Sequence, residues 1–507
     1  MTLDAERNRS STASDIVRSA HAEACRPWRR SVLSHTGWTA LAKASMTESW
    51  TLLAHWADTT HVHALFQNPD ALTIVPVSTQ VEAGCYPALS PVLPGAVPYE
   101  RMIRDLWGHT AEDGSDARPW LDHGQWPQIR PMAIRPQPRD SAETSLLQAV
   151  DRPDAMLLPL GPLWGLVDEA SHLRLTLNGA TIQHAEAVLG FTHKGVLSLM
   201  RGKSPRTAAR FAARLSGDAT VAHSVAFAQA TESAMQVTAP PRAALLRIVL
   251  LEMERIAAHL DNLAEVGRLA DAQLVWTRCG MLRENLSQTS HAAFGHRLLM
   301  DCVVPGGLAV DIAEGGAEAI LRVLGAIASE LDSIRRMHER PALSAVLSGL
   351  GRASGELTAT LGVGGTVGRA SGRAFDGRMV FSTGYGALSP RLAIRSEGDA
   401  LARQQLRIFE IGESLRLVAA AFDRLPDGPV GMVLPQVSGE GIACAESSRG
   451  DVWHWMQLDH GQIAAAFPRD PGWALWPLAE HVLRDAPAAD AALIRASLAL
   501  PASGMDL

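Results

Sequence analysis

The 507-residue chain sets 46 Lys and Arg against 53 Asp and Glu, and its net charge of −7 gives no electrostatic reason to expect nucleic acid as a partner. With 47% apolar and 20% charged residues it can bury more than one sizeable core, which excludes a disordered protein. Its five cysteines (Cys25, Cys85, Cys279, Cys302 and Cys444) form no CxxC pair, so neither a disulfide framework nor a zinc knuckle is expected.

Residues 1–45 are polar, rich in Ser and Arg and weakly periodic, and are expected to be a partly ordered extension without a secretory leader. No apolar run approaches the ~18 residues of a spanning helix. Trp50 to Trp56 suggests a short helix. His61–Phe66 and Ala71–Val77 alternate as strands, separated by the turn signal of Asn68, Pro69 and Asp70. Prolines at 87 and 91 keep Tyr86–Pro91 extended, and Tyr99–Gly108 is a short amphipathic helix stopped by glycine. These elements make a small α+β domain over 46–138, followed by a polar, Pro-containing linker at 139–155.

The second domain, 156–507, opens with an apolar stretch at Leu157–Trp164. A hairpin follows, His172–Leu177 and Ala180–His184 turning at Asn178-Gly179, and it delivers the chain to Leu189-Gly-Phe-Thr-His-Lys-Gly195. A basic helical segment then leads to Arg214, Leu215, Ser216, Gly217, Asp218 and Ala219. The remainder reads as mainly helical. A long helix begins at Pro240-Pro241 and runs to about Leu263; Leu245, Ile248, Val249, Ile256, Leu260 and Leu263 form its apolar stripe, and Glu252, Arg255 and His259 share a face. Further helices are expected around 280–286, 317–338 and 401–422, with a strand at Val452–Trp455. The glycines at 362–365 lack both GxGxxG order and GK[ST], so they are expected to permit turns and not to cradle phosphate.

Taken in order, these motifs resemble the superfamily that joins nickel–iron hydrogenase large subunits to the hydrogenase-like subunit of respiratory complex I. The resemblance runs from Gly161 to the C-terminus. It includes His172, the Glu252–His259 face, Gly295-His-Arg297 with Val304-Pro-Gly-Gly307, Gly368-Arg369-Ala-Ser-Gly372 with Asp376, and Glu446 with Arg449-Gly450. Tyr86–Pro91 and the Glu100–Gly108 helix of the first domain resemble the small hydrophilic subunit of complex I, and the fusion of the two is the arrangement of formate-hydrogenlyase-type hydrogenases. The implied fold is α+β: a small N-terminal α+β domain, then a mainly helical hydrogenase-like domain with small peripheral sheets.

In hydrogenases the two loops that match here supply cysteine pairs to nickel and iron. The matching positions in this chain are Ser216, Ala219, Pro501 and Gly504, and no cysteine follows Cys444. Soft thiolates suit such a centre, and a serine hydroxyl, a methyl group, a proline and a glycine do not replace them. The complex I relatives have also lost these cysteines, and the resemblance implies a quinone-headgroup cavity in their place. The tyrosine used there matches Gly217, which removes one expected group. The cavity lining is expected from Arg214, Ser216, Gly217, Asp218, Arg369 and Asp376, with His193, His223 and His172 as candidate proton-handling groups. No metal is expected in this chain. The resemblance further implies a small partner subunit carrying an iron–sulfur cluster, antiporter-like membrane subunits, and a cytoplasmic-side position, peripheral to the inner membrane through those partners. The expected activity is reduction of a quinone or another acceptor coupled to ion movement. A subunit that only couples conformational change is the alternative, and an active hydrogenase is the least expected.

Overall fold

A computed structural model of the chain describes residues 12–69, 73–139, 156–163, 169–380 and 384–507. Asp70, most of the 139–155 linker and the end of the stretch reaching Trp164 lie outside the described residues. Among the described residues no helix is long and apolar enough to cross a membrane. The chain divides into two compact units, Met1–Leu146 with Thr360–Gly362 and Leu147–Ala359 with Val363–Leu507.

The first unit is built on a five-stranded sheet in which Arg30–Leu33 lies between His21–Glu23 and Thr73–Gln80, followed by His61–Asn68 and Thr51–Ala57. Residues 12–45 are therefore not an extension. Helix Ala13–Ser19, two strands and helix His35–Thr47 belong to this unit, and strand Arg30–Leu33 pairs in parallel with Thr73–Gln80. Their weak periodicity hides two local signals. The Ser34 hydroxyl accepts the Gly37 amide at 3.2 Å and caps the second helix, and Trp38 is buried beneath it. The helix expected at 50–56 is strand Thr51–Ala57. Leu52 through Ala57 are all buried, so the side chains of both faces are covered and the period-2 alternation that marks a half-buried strand is missing. The expected amphipathic helix is present at Val97–Trp107, yet two of its acids face inward. Glu100 accepts the amides of Leu89 and Ser90 (2.6 and 3.0 Å), and Asp105 those of Trp120 and Leu121 (2.7 and 2.9 Å).

The second unit is a helical bundle with small sheets at its border. The hairpin forms at His172–Asn178 and Thr181–Val188, with Met156–Leu160 as a third strand. Helices Pro241–Leu269, Gln273–Phe294, Gly316–Glu339 and Ala400–Phe422 make the bundle around one apolar core. The strand expected at 452–455 is the middle of a three-stranded antiparallel sheet, Gly439–Ser447, Gly450–Asp459 and Gln462–Arg469. Helix Thr220–Met235 packs on that sheet. It lies so close that a Cβ at Gly441 would stand 2.2 Å from the Ala230 carbonyl oxygen. Glycine at 441 thus fixes the height of the helix whose first turn carries the candidate site.

Candidate functional site

Ser216–Ala219 is a tight turn, its Ala219 amide donating to the Ser216 carbonyl at 3.3 Å, and helix Thr220–Met235 starts directly after it. The C-terminal segment 501–507 is buried throughout. Glu169 holds it by accepting the amides of Ala502 and Ser503 (2.6 and 2.7 Å), and the Trp476 indole donates to the Pro501 carbonyl. The Gly190–Lys194 motif joins turn and tail. Asp506 accepts the Gly190 and Thr192 amides, each at 2.8 Å, and His193 Nδ1 stands 2.5 Å from the Asp506 carbonyl oxygen. The Lys194 ammonium donates to the carbonyls of Leu215 (3.4 Å) and Ser503 (3.3 Å), one on each side.

Between turn and tail stands a cluster of charges. Arg449, on the bend after strand Gly439–Ser447, donates to Asp218, to the Ser216 hydroxyl at 3.0 Å and to Asp470 at 3.5 Å; Ser216 in turn donates to Asp218 at 2.8 Å. Asp470 also accepts the Gly472 amide (2.7 Å) and faces His223 Nε2 at 3.1 Å, and the other nitrogen of His223 is 3.1 Å from His454. Burial opposes ionisation of Asp470, but the Arg449 guanidinium and His223 outweigh it and hold the carboxyl well below the usual carboxylate range. Burial, together with His223, keeps His454 neutral. The Asp470 carboxylate also takes the space of a side chain at 504, since a Cβ on Gly504 would come within 2.5 Å of its carboxyl carbon. A cysteine at that position does not fit unless Asp470 moves. Ala219 presents a methyl group to the apolar core, and the Ser216 hydroxyl is already engaged. This donor set does not match a nickel–iron centre.

A cleft of about 500 Å³ opens beside the cluster, with Gly217, Asp218, Arg449 and Pro501 on the wall that faces it and Glu254, Arg407 and Trp276 among its other lining residues. Glu254 accepts the Val221 and Ala222 amides (2.5 and 3.0 Å) at the start of helix Thr220–Met235. Burial pushes its carboxyl up to about 8, with Asp218 adding to the effect, so it holds its proton near neutrality even though two amides favour the anion.

The residues singled out from sequence separate accordingly. Gly217, Asp218 and Pro501 line the cleft, and Ser216 and Gly504 adjoin it through Arg449 and Asp470. His223 touches Asp470 and is not on the cleft wall, and His193 serves the tail. Four further residues stand away from the cleft. Arg214 is ion-paired with Asp301 on the surface (2.6 Å), because its neighbours Ala213 and Leu215 take the buried side. Arg369 and Asp376 are buried behind the cleft, in a network that meets the Arg407 side chain through His259. There Arg369 pairs with Glu410 and Glu446, each at 2.8 Å, and Asp376 with Arg378 at 2.7 Å. His172 is a buried hairpin residue that does not line the cleft. Sequence reasoning passed over Arg449, although it stands in the Arg449-Gly450 motif, as well as Asp470 and Glu254. Glu254 sits two residues from Glu252 on the long helix, so it faces another direction from the charged stripe. Asp470 lies in no recognisable motif.

Two families match the second unit. The one described as respiratory-chain NADH dehydrogenase, 49 kDa subunit, covers residues 272–438, and the nickel-dependent hydrogenases cover 194–262. Over these stretches the chain is similar to both. Formate hydrogenlyase subunit 5 of Escherichia coli (strain K12) is 29% identical over 437 residues, covering 82% of this chain and 75% of that protein. A chloroplastic NAD(P)H-quinone oxidoreductase component of Nandina domestica is 28% identical over 55% of this chain and 71% of its own length. A chain of the membrane-bound sulfane sulfur reductase, an archaeal respiratory membrane complex, superposes with a TM-score of 0.67 at 23% identity. The match covers 71% of this chain and 100% of that chain, a likeness of fold.

Proposed function

We propose that this chain is the hydrogenase-like subunit of a membrane-bound, complex-I-like oxidoreductase that has lost the nickel–iron centre. In this reading a cleft at the former metal position receives a quinone or another small carbonyl acceptor. The observation that carries it is the joint replacement of the ligand positions. Ser216 is held by Arg449, the place of a side chain at 504 is filled by Asp470, and an open cleft adjoins both. Electrons would arrive from an iron–sulfur cluster in a small partner subunit, and antiporter-like membrane subunits would move ions. On the cleft wall Arg449 can donate to a carbonyl oxygen. Glu254, which keeps its proton near neutrality, can supply one to a reduced headgroup. His223 would act only through Asp470, as a positioning residue. The first unit is proposed to do the work of the small hydrophilic subunit of complex I.

The test is isolation of the native complex with measurement of nickel, iron and quinone. The expected result is an iron–sulfur subunit, bound quinone and no stoichiometric nickel, with Arg449→Met raising KM for quinone more than it lowers kcat. One nickel per chain would overturn the reading. A second reading, a coupling subunit without redox chemistry, is favoured by the engagement of Arg449 with three partners and by the absence of the three tyrosines, Tyr86, Tyr99 and Tyr385, from the cleft lining among the described residues. A native complex lacking any iron–sulfur subunit would decide for it.

A further inference from the structure

Between Glu186 and Asp218 the sequence contains no acidic residue, yet it holds Lys194, Arg201, Lys203, Arg206, Arg210 and Arg214 in a chain whose net charge is −7. This segment folds as two short helices, Val196–Met200 and Pro205–Ala212, the second capped by the Ser204 hydroxyl. Val196, Met200, Ala208, Ala209 and Ala212 form the inner face and pack with Phe227 and Ala230. The outer face carries exposed Arg201, Arg206 and Arg210, the last two four residues apart and so on one side of their helix. Leu199, on the first of these helices, and Phe191, five residues before that helix, are 43% and 38% exposed. Strand Gln462–Arg469, which packs against both helices, is free of acidic residues. Of the basic residues named, Arg214 is neutralised by Asp301 and Lys194 is turned to the tail, so the charge of this face is set chiefly by Arg206 and Arg210 with Lys203 beside them.

A basic helix face is ordinarily just solvated. Here the segment contributes no acidic residue on an acidic protein, the nearby Asp301 is already paired with Arg214, and two apolar side chains of the same segment are exposed. An acidic protein surface would match the charges but offers nothing specific to Phe191 and Leu199. An anionic bilayer takes both, with headgroup phosphates meeting the guanidinium groups and the apolar side chains entering the boundary below them. We propose that the 191–210 face binds anionic phospholipid directly, so that the chain touches the membrane itself as well as its partner subunits. This goes beyond the reading of the cleft, and its failure would leave the nickel and quinone measurements untouched.

The full chain is floated with vesicles of phosphatidylcholine alone or with one-third phosphatidylglycerol. Binding is expected only to the anionic vesicles and should weaken with salt. Each cation near such a surface contributes roughly fivefold, so Arg206→Glu with Arg210→Glu should weaken binding by at least about tenfold. The same reversal at Arg335 and Arg336, exposed on helix Gly316–Glu339, should leave it unchanged. Equal binding to both vesicle types, or wild-type binding by the 206/210 variant, would overturn the proposal. So would a wild-type chain that binds no vesicles while the variant is lost from the purified complex, because an acidic protein would then be the partner.

Discussion

Asp470 is fixed by the Gly472 amide, His223 and Arg449, which makes it a poor candidate for yielding to a new neighbour. Gly504→Ala should therefore cost about 1–3 kcal/mol through overpacking, read as a lowered midpoint of thermal unfolding. An unchanged midpoint would mean that the tail shifts freely. Glu254 makes a separate prediction. Its folded value of about 8 lies above the ordinary 4.5, so the folded chain keeps a proton that the unfolded chain has lost. The associated stability is complete below about 4.5 and is lost as pH rises through about 8. Urea midpoints should accordingly fall across that window, and Glu254→Gln should flatten the slope. The slope is the readout, because the amide swap also disturbs the bonds to Val221 and Ala222. At this scale the sequence matched Ser216, Ala219, Pro501 and Gly504 to the positions that hold cysteines in hydrogenases, and left open what stands beside them. That depended on the Asp470 carboxylate folding back across the site from a loop with no distinguishing motif.

Among the elements, helix Thr220–Met235 positions the site, and the next helix locks it through a buried bidentate pair. Arg247 donates to both Glu232 oxygens (3.0 and 2.6 Å) and to the carbonyls of Val304 and Gly307, and Glu232 also accepts the Gly306 amide. Removing one member strands the other charge, so Glu232→Ala should destabilise by about 3–5 kcal/mol in chemical denaturation. A loss under about 1 kcal/mol would show that water reaches Arg247. The long helices and the 172–188 hairpin were legible because 3.6-residue stripes and an Asn-Gly turn are local signals. Strand Thr51–Ala57 was not, since a strand buried on both faces loses its alternation and only its partner His61–Asn68 decides its state. The strand at 30–33 was missed for a related reason: its pairing with Thr73–Gln80 is parallel and distant in sequence.

Across the whole molecule, the second unit is held by ionic contacts as well as by its apolar core. Glu410 accepts from Arg369 (2.8 Å) and Arg255 (3.2 Å) and faces His259 at 3.0 Å, joining helices Pro241–Leu269 and Ala400–Phe422 to the short helix Gly365–Ala370. Burial opposes its charge, but Arg369 and His259 hold Glu410 well below its ordinary value, while burial takes His259 down to about 4. Glu410→Ala should cost about 3–5 kcal/mol, whereas Arg335→Ala, which breaks the exposed pair with Asp332, should cost less than about 1 kcal/mol. Comparable losses at the two sites, measured by the same urea titration, would refute this division. The family resemblance put Arg369 and Asp376 in the cavity lining, whereas both lie in the bundle interior. That distinction rests on the carboxylates of Glu410 and Glu446, both far away in sequence.

The Asp470 carboxylate in the space beside Gly504 also bears on descent. A cysteine arriving first at 504 would collide with the carboxylate, and loss of Asp470 first would leave Arg449 and His223 without their shared partner. Each first step back toward a thiolate site is thus harmful by itself. Under the proposed loss of the metal, the exchange would behave as a ratchet, with the return path closed to single substitutions.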